Sequence, residues 1–157
     1  MKTKKLSGTK EYSDQKKNSD EVWTRWIPPV EGLINNYYID GLLDILDKLK
    51  IILADEKETH EVHVIFDSNA ASYEHTDESF CLTLIANLDE KYGPDFYDWT
   101  FFKIANSSYV KRLSVQSTSI SDSLTLTHFC FLSVDSILHI LAYEDPEVIR
   151  IEKTKKE

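Results

Sequence analysis

The spacing of apolar residues predicts an amphipathic helix over residues 31–50. Its apolar positions recur at intervals that place them on one helical face, and they are Tyr38, Leu42, Ile45, Leu46 and Leu49. Gly41 weakens such a helix, and the apolar face has to offset that cost. The opposite face carries Asp40, Asp44 and Asp47, either as a solvated surface or as a negative stripe for a basic partner.

Beyond this segment the pattern changes between strand and helix. β-branched and aromatic residues predict a strand over 61–66, and a polar, acidic connection follows over 67–79. Helical spacing returns over 77–92, with Asp77 as a candidate cap and Gly93-Pro94 as the stop signal. Residues 80–86 also alternate like a strand, but we favour the helix.

After Pro94 the chain is dominated by strand signals. Three segments rich in β-branched and aromatic residues are expected to be strands, namely 99–104, 109–116 and 124–132. The short polar links between them favour antiparallel neighbours. Residues 134–143 form either a helix or the return strand of a hairpin that turns at Asp135-Ser136, and residues 148–151 can add an edge strand.

These elements predict an α+β fold, with a mainly antiparallel sheet packed against one or two amphipathic helices. A length of 157 residues suits a single domain. We place its boundaries so that residues 1–21 form a disordered basic tail, 22–151 an acidic domain and 152–157 a C-terminal tail. The chain has no apolar run of about 18 residues and no apolar stretch after its basic start, so we expect a cytoplasmic protein without membrane contact.

Charge is distributed unevenly along the chain. Residues 21–149 hold eight basic and 22 acidic residues, whereas residues 1–20 and 150–157 carry net charges of +3 and +2, so that the whole chain carries −9. An acidic body repels phosphate and attracts basic partners, so we expect no nucleic-acid partner. The four glycines are never within eight residues of each other, which argues against a phosphate-binding glycine loop.

The histidines provide the first candidate chemistry. His60 and His63 are three positions apart in a predicted strand, where they point to opposite faces and cannot share one metal as helical i, i+4 ligands do. Glu61 and His63 share a face and can form a pair. His128 and His139 lie among apolar neighbours, where we expect histidines satisfied by hydrogen bonds.

Other motifs are equally limited. The loop around Tyr73-Glu74-His75 concentrates titratable groups, which is typical of a solvated acidic loop and also of a functional one. Cys81 and Cys130 lie in apolar surroundings that favour buried reduced thiols, with a disulfide as the alternative. Trp23 and Trp26 either cover an edge of the core or serve as anchors of an interface.

The pattern as a whole favours a small acidic binding protein without catalysis, cofactor or bound metal. In size and charge the chain resembles the small immunity proteins that bacteria make against toxins, although no motif carries that resemblance. We therefore expect an inhibitor that occludes a basic toxin such as a nuclease. The candidate contact carboxylates are Asp40, Asp44, Asp47, Asp67, Glu74, Asp77 and Glu78. The alternatives are a metal-dependent hydrolase that uses His60, His63 and His75, and a regulatory adaptor anchored by its tryptophans.

Overall fold

The computed structural model of the protein describes residues 20–117 and 125–154. Within these residues the strands are β1 (Val22–Arg25), β2 (Tyr38–Ile45), β3 (Lys48–Ala54), β4 (His60–Asp67), β5 (Ala70–Asp77), β6 (Phe101–Ala105), β7 (Thr127–Leu132), β8 (Ser136–Ala142) and β9 (Glu147–Glu152). The helices are α1 (Leu82–Tyr92), α2 (Ser108–Gln116) and a 3₁₀ turn (Glu78–Phe80). Most of the predicted N-terminal tail lies outside the described residues.

The strands form two antiparallel sheets, which confirms the α+β class but divides the predicted sheet in two. The first sheet has the order β1-β6-β7-β8-β5, and the second has the order β2-β3-β4-β9. In the part of the chain that the structure describes, no helix is both long and apolar enough to cross a bilayer.

The two sheets face each other across the main core. Alternate residues of β3 and β4, such as Ile51 and Val64, meet Phe129 and Ile140 of the first sheet in one buried cluster. Helix α1 covers the other face of the first sheet, where Leu88 packs in a second cluster. The molecule therefore has three layers, with the first sheet in the middle.

The predicted helix over residues 31–50 is wrong, because this segment forms the β2–β3 hairpin. Leu46 and Asp47 both adopt positive φ angles between the paired residues Ile45 and Lys48, which is the geometry of a two-residue hairpin turn. Leucine and isoleucine spaced for one helical face also fit alternating strand positions. The aspartates of β2 and of this turn therefore do not form a helical row.

Two other predictions fail for local reasons. Residues 67–79 were expected to be a connection, but Ala70–Asp77 form edge strand β5. The strand expected over residues 109–116 is helix α2, whose start is fixed by the Ser107 hydroxyl accepting a hydrogen bond from the Val110 N–H at 3.0 Å. Short polar side chains at an edge strand and at a cap explain both errors.

The remaining elements agree with the sequence. The strands expected over 61–66, 99–104 and 124–132 correspond to β4, β6 and β7, and the helix over 77–92 corresponds to α1 with its preceding 3₁₀ turn. Asp77 caps that turn by accepting from the Ser79 N–H at 2.9 Å. The open choice at 134–143 is settled as the β7–β8 hairpin, and β9 is the expected edge strand beside β4.

Candidate functional site

A cleft of about 420 Å³ opens at the end of the molecule where β7 leads into β8. Its apolar floor consists of Ile85, Leu132, Val134 and Ile137. Its polar wall consists of Asn36, Tyr38, Glu56, Glu78, Tyr97, Asp98 and Ser133. None of these lining residues is Lys, Arg or His, so we refer to this feature as the acidic cleft.

Tyr37 joins three sides of the acidic cleft through its backbone. Its N–H donates to the Thr100 hydroxyl at 3.1 Å, and its carbonyl accepts from the Val134 N–H at 3.1 Å. The preceding residue, Asn36, donates from its side-chain amide to the Asp98 carboxylate at 2.5 Å, and the following residue, Tyr38, also lines the cleft. The cleft wall is therefore built from segments distant in sequence.

A buried hydrogen-bond chain supports Tyr37 from below. Asp55 accepts from the Thr59 hydroxyl at 2.8 Å, so that hydroxyl accepts in turn from His60 Nδ1 at 2.9 Å. The remaining ring nitrogen, His60 Nε2, then accepts from the Tyr37 hydroxyl at 3.0 Å. The order of donors assigns a neutral His60 with its proton on Nδ1.

The pKa values of this chain agree with that assignment. Burial alone would raise the pKa of Asp55, but hydrogen bonds from the N–H of His60 and from Thr59 lower it to about 2. Burial, reinforced by the charge of Arg150, lowers the pKa of His60. The buried carboxylate is thus ionised and the imidazole beside it is neutral at neutral pH.

Carboxylates from three different segments determine the electrostatics of the acidic cleft. Glu56 lies in the β3–β4 turn, Glu78 in the 3₁₀ turn and Asp98 before β6. Hydrogen bonds from Asn36 and Asn35 lower the pKa of Asp98, which keeps it ionised. Arg25 is the nearby cation, and its guanidinium donates to the backbone carbonyls of Asp95 and Phe96.

Exposed apolar side chains accompany these charges. Phe80 and Leu82 follow Glu78 in the chain and are largely exposed, and Val134 on the floor is also exposed. Apolar residues beside charged groups are typical of protein-binding surfaces. The site therefore combines negative charge with apolar contact area and has the composition to hold a cationic, partly apolar group.

The structure scatters the seven carboxylates that the sequence suggested. Glu78 lines the acidic cleft and Asp77 lies next to it. Asp67 pairs with Lys48 at 3.6 Å, and Glu74 pairs with Arg112.

The other three belong to the β2–β3 hairpin. Asp40 lies at a bulge of β2, Asp44 lies near the Tyr73 hydroxyl at 3.4 Å, and Asp47 occupies the turn. Their carboxylates therefore do not converge with Glu78 on one site.

The three histidines of the hydrolase hypothesis do not meet either. His60 is buried between the sheets, His63 lies on the opposite face of β4, and His75 is on β5 of the other sheet. As expected, Glu61 and His63 share a face, with Oε2 and Nε2 2.8 Å apart. Among the described residues, no group of three potential ligands could hold a metal ion.

A second buried chain lies under helix α2. Ser107 Oγ is 2.7 Å from His128 Nδ1, and His128 Nε2 is 2.8 Å from His139 Nδ1. Burial and the neighbouring His139 lower the pKa of His128 to about 3, and burial lowers that of His139 to about 4. Ser107 is buried and caps α2, so this chain has the geometry of a structural network and no open face for a substrate.

The tryptophans and cysteines are also internal. Trp23 packs edge-on against Phe102, and Trp26 packs against Phe129, so the rings cover the core and are not presented as anchors. Both cysteines are free thiols, and burial raises the pKa of each.

Sequence reasoning missed Glu56 and Asp98. Both lie in short polar loops that resemble any solvated turn, and only the packing of the loops places them opposite Glu78. No protein-family model matches the chain, and comparison with curated proteins and with solved structures finds no significant match.

Proposed function

We propose that the chain is a small acidic binding protein that engages a basic protein through the acidic cleft, as an immunity or antitoxin-type inhibitor occludes its toxin. The observation that carries this proposal is the cleft lining, where Glu56, Glu78 and Asp98 converge from three segments without a basic side chain among the lining residues. Negative charge lining a concave surface concentrates the field and accelerates association with a cationic partner.

The rest of the molecule is consistent with this role. A chain charge of −9 steers a basic protein over a long range, and the exposed Phe80 and Leu82 supply apolar contact near the charges. A nuclease toxin is a natural partner, because its phosphate-binding groove is basic. The free thiols suit the reducing cytoplasm, where we expect the protein to act. A metal-dependent hydrolase remains a hypothesis that no arrangement of the described residues favours.

The direct test is a charge reversal within the cleft. The Glu56→Lys/Glu78→Lys variant and wild type are used in parallel to capture partners from the source cell, and association with the captured protein is measured across a salt titration. We expect association of the variant to slow by roughly tenfold or more at low salt, and wild-type affinity to fall as salt rises. The matched control is Glu90→Lys/Glu144→Lys, which changes net charge equally at exposed positions outside the cleft lining.

Equal capture and equal rates for both double variants would refute the cleft as the contact surface. A third variant, Asp40→Lys/Asp44→Lys/Asp47→Asn, tests whether contact extends to the β2 edge. Asparagine is used at position 47 because it tolerates the positive φ of this turn. Slower association of this variant would mean that the contact surface includes the β2 edge. Association at the wild-type rate would mean that the contact surface is limited to the cleft.

A further inference from the structure

The outer face of the second sheet is the face directed away from the sandwich core. The register places Gly41, Ile52, His63 and Ile149 in one row across the four strands. Their neighbours in sequence, such as Ile51 and Val64, point into the core, so this row points outward. The next row contains Leu43, Lys50, Ile65 and Glu147.

This face is apolar at its two edge strands and uncovered by the described elements. On β2, Leu43 and Ile45 are 37% and 57% exposed, and on β9, Ile149 and Ile151 are 38% and 41% exposed. Helix α1 packs on the first sheet. Within residues 20–117 and 125–154, no helix covers the outer face of the second sheet. Exposed apolar residues at both edges of an uncovered sheet face are a feature of interaction sites.

Charge on the same face distinguishes it from the acidic cleft. Three lysines lie on or beside it, namely Lys48, Lys50 and Lys153, together with five carboxylates, namely Asp40, Glu58, Glu61, Asp67 and Glu147. Two of the lysines pair with carboxylates of the face, Lys48 with Asp67 at 3.6 Å and Lys153 with Glu61 at 3.1 Å. Positive charge therefore offsets most of the negative charge on this face, although the whole chain carries −9.

We propose that two copies of the chain associate through this face, sheet against sheet about a two-fold axis. A two-fold interface brings each surface against itself, so a face that carries apolar residues and charges of both signs can be complementary to a second copy of itself. A basic partner would find little excess of negative charge here, whereas two acidic chains can approach at this face without strong local repulsion.

The area of this face indicates how tightly the two copies should associate. Four strands about 4.8 Å apart, each contributing about seven residues of 3.4 Å, give a flat footprint of roughly 450 Å² per copy. Two such footprints total roughly 900 Å², which is below the roughly 1,200 Å² where standard specific interfaces begin and within the range of weak, transient ones. The dimer is therefore reversible, and its dissociation is measurable at ordinary protein concentrations.

Sedimentation equilibrium of the full chain from about 1 µM to about 500 µM tests the proposal. Wild type is expected to shift from monomer to dimer, and Ile149→Lys is expected to weaken dimerisation at least tenfold. Leu43→Lys, on the opposite edge strand, should act in the same way. The matched control is Val115→Lys, an exposed residue of α2, which should dimerise like wild type.

Salt provides an independent signature. Screening reduces the repulsion between two chains of charge −9, so added salt should strengthen dimerisation, whereas it weakens binding of a basic partner at the acidic cleft. A monomer throughout the concentration range, or equal dimerisation of wild type and Ile149→Lys, would overturn the proposal. A monomer whose melting temperature falls in Ile149→Lys would show that the chain covers this face itself, which also overturns it.

Discussion

The two sheets differ in how many of their faces are covered, and the pattern of buried residues along their strands shows the difference. β7 and β8 of the first sheet are buried at nearly every position, because one face meets the second sheet and the other meets α1 and α2. β4 of the second sheet alternates buried and half-buried residues, because only one of its faces is covered. A continuous apolar run thus indicates a middle layer, and an alternating run indicates an outer one.

Histidines lie both on the covered face of the first sheet and on the uncovered face of the second sheet. His128 and His139 lie on the helix side of the first sheet, where His128 lies within hydrogen-bond distance of both Ser107 and His139. His63 lies on the outer face of the second sheet and pairs with Glu61. Covering a face therefore changes how a polar side chain on it can be satisfied.

The largest expected effect of any single residue comes from truncating the same residue type on each outer face. Ile104 lies on the helix side of the first sheet and is 5% exposed, whereas Ile65 lies on the uncovered face of the second sheet. Ile104→Ala should lower the free energy of unfolding by about 3 kcal/mol, because it leaves a cavity. Ile65→Ala should cost about 1 kcal/mol or less, since less area is buried there.

Urea denaturation at dilute protein concentration, where the chain is monomeric, measures both values. Equal costs at the two positions would mean that something covers the second sheet as fully as the helices cover the first, and the contrast between the sheets would be lost.

The next effect is a dependence of stability on pH that originates in the covered face. His128 and His139 have folded pKa values of about 3 and about 4, below the unfolded value of about 6.5, so the unfolded chain binds more protons in this window. The contribution of the two neutral histidines to the free energy of unfolding is therefore complete above about pH 6.5 and is lost as the pH falls toward the folded pKa values. Each histidine should contribute a loss of about 2 kcal/mol between about pH 7 and pH 5.

Unfolding free energies measured at a series of pH values test this assignment. His139→Gln should remove about half of the loss from the pair, and His128→Gln/His139→Gln should remove nearly all of it, leaving the loss from His60, which has the same sign. The control is Ile104→Ala, which destabilises the same face but keeps both histidines and should keep the full slope. A slope unchanged in the double variant would place its origin elsewhere.

How much of this fold the sequence predicts depends on the same contrast. The apolar, β-branched segments of the middle sheet are recognisable because few other structures bury both faces of so short a run. The β2–β3 hairpin was misread, since its two-residue turn is Leu46-Asp47 instead of the glycine-containing pair that normally signals one. Helix α2 was misread because Tyr109 and Val110 favour strands, and the Ser107 cap that overrides them is a tertiary and local effect.

The site was less predictable than the fold. The acidic character of the chain suggested Glu78 as a contact residue, and Glu78 lines the acidic cleft, but Glu56 and Asp98 join it there only through loop packing. The hydrogen bond between Tyr37 and His60 carries no sequence signal either, because residues 23 positions apart give no sign of their contact in either neighbourhood.

The smallest effect tests whether a covered hydroxyl matters more than an uncovered one. Tyr37 is fully buried, and its hydroxyl accepts from the Ile34 N–H at 3.0 Å and donates to His60 Nε2. Tyr37→Phe leaves the buried His60 Nε2 unsatisfied and removes the acceptor of the Ile34 N–H, so the free energy of unfolding should fall by about 1 to 2 kcal/mol.

Tyr73→Phe is the matched control, because it removes a hydroxyl 3.4 Å from Asp44 at an exposed rim, and its cost should stay within about 0.5 kcal/mol. Urea denaturation of the two variants gives both numbers. If Tyr37→Phe cost no more than Tyr73→Phe, water would be reaching the partners of Tyr37. The cleft wall around Tyr37 would then be more accessible to water than the backbone hydrogen bonds of Tyr37 to Thr100 and Val134 imply. In a closed wall, the two groups that bond the Tyr37 hydroxyl would have no water to replace it.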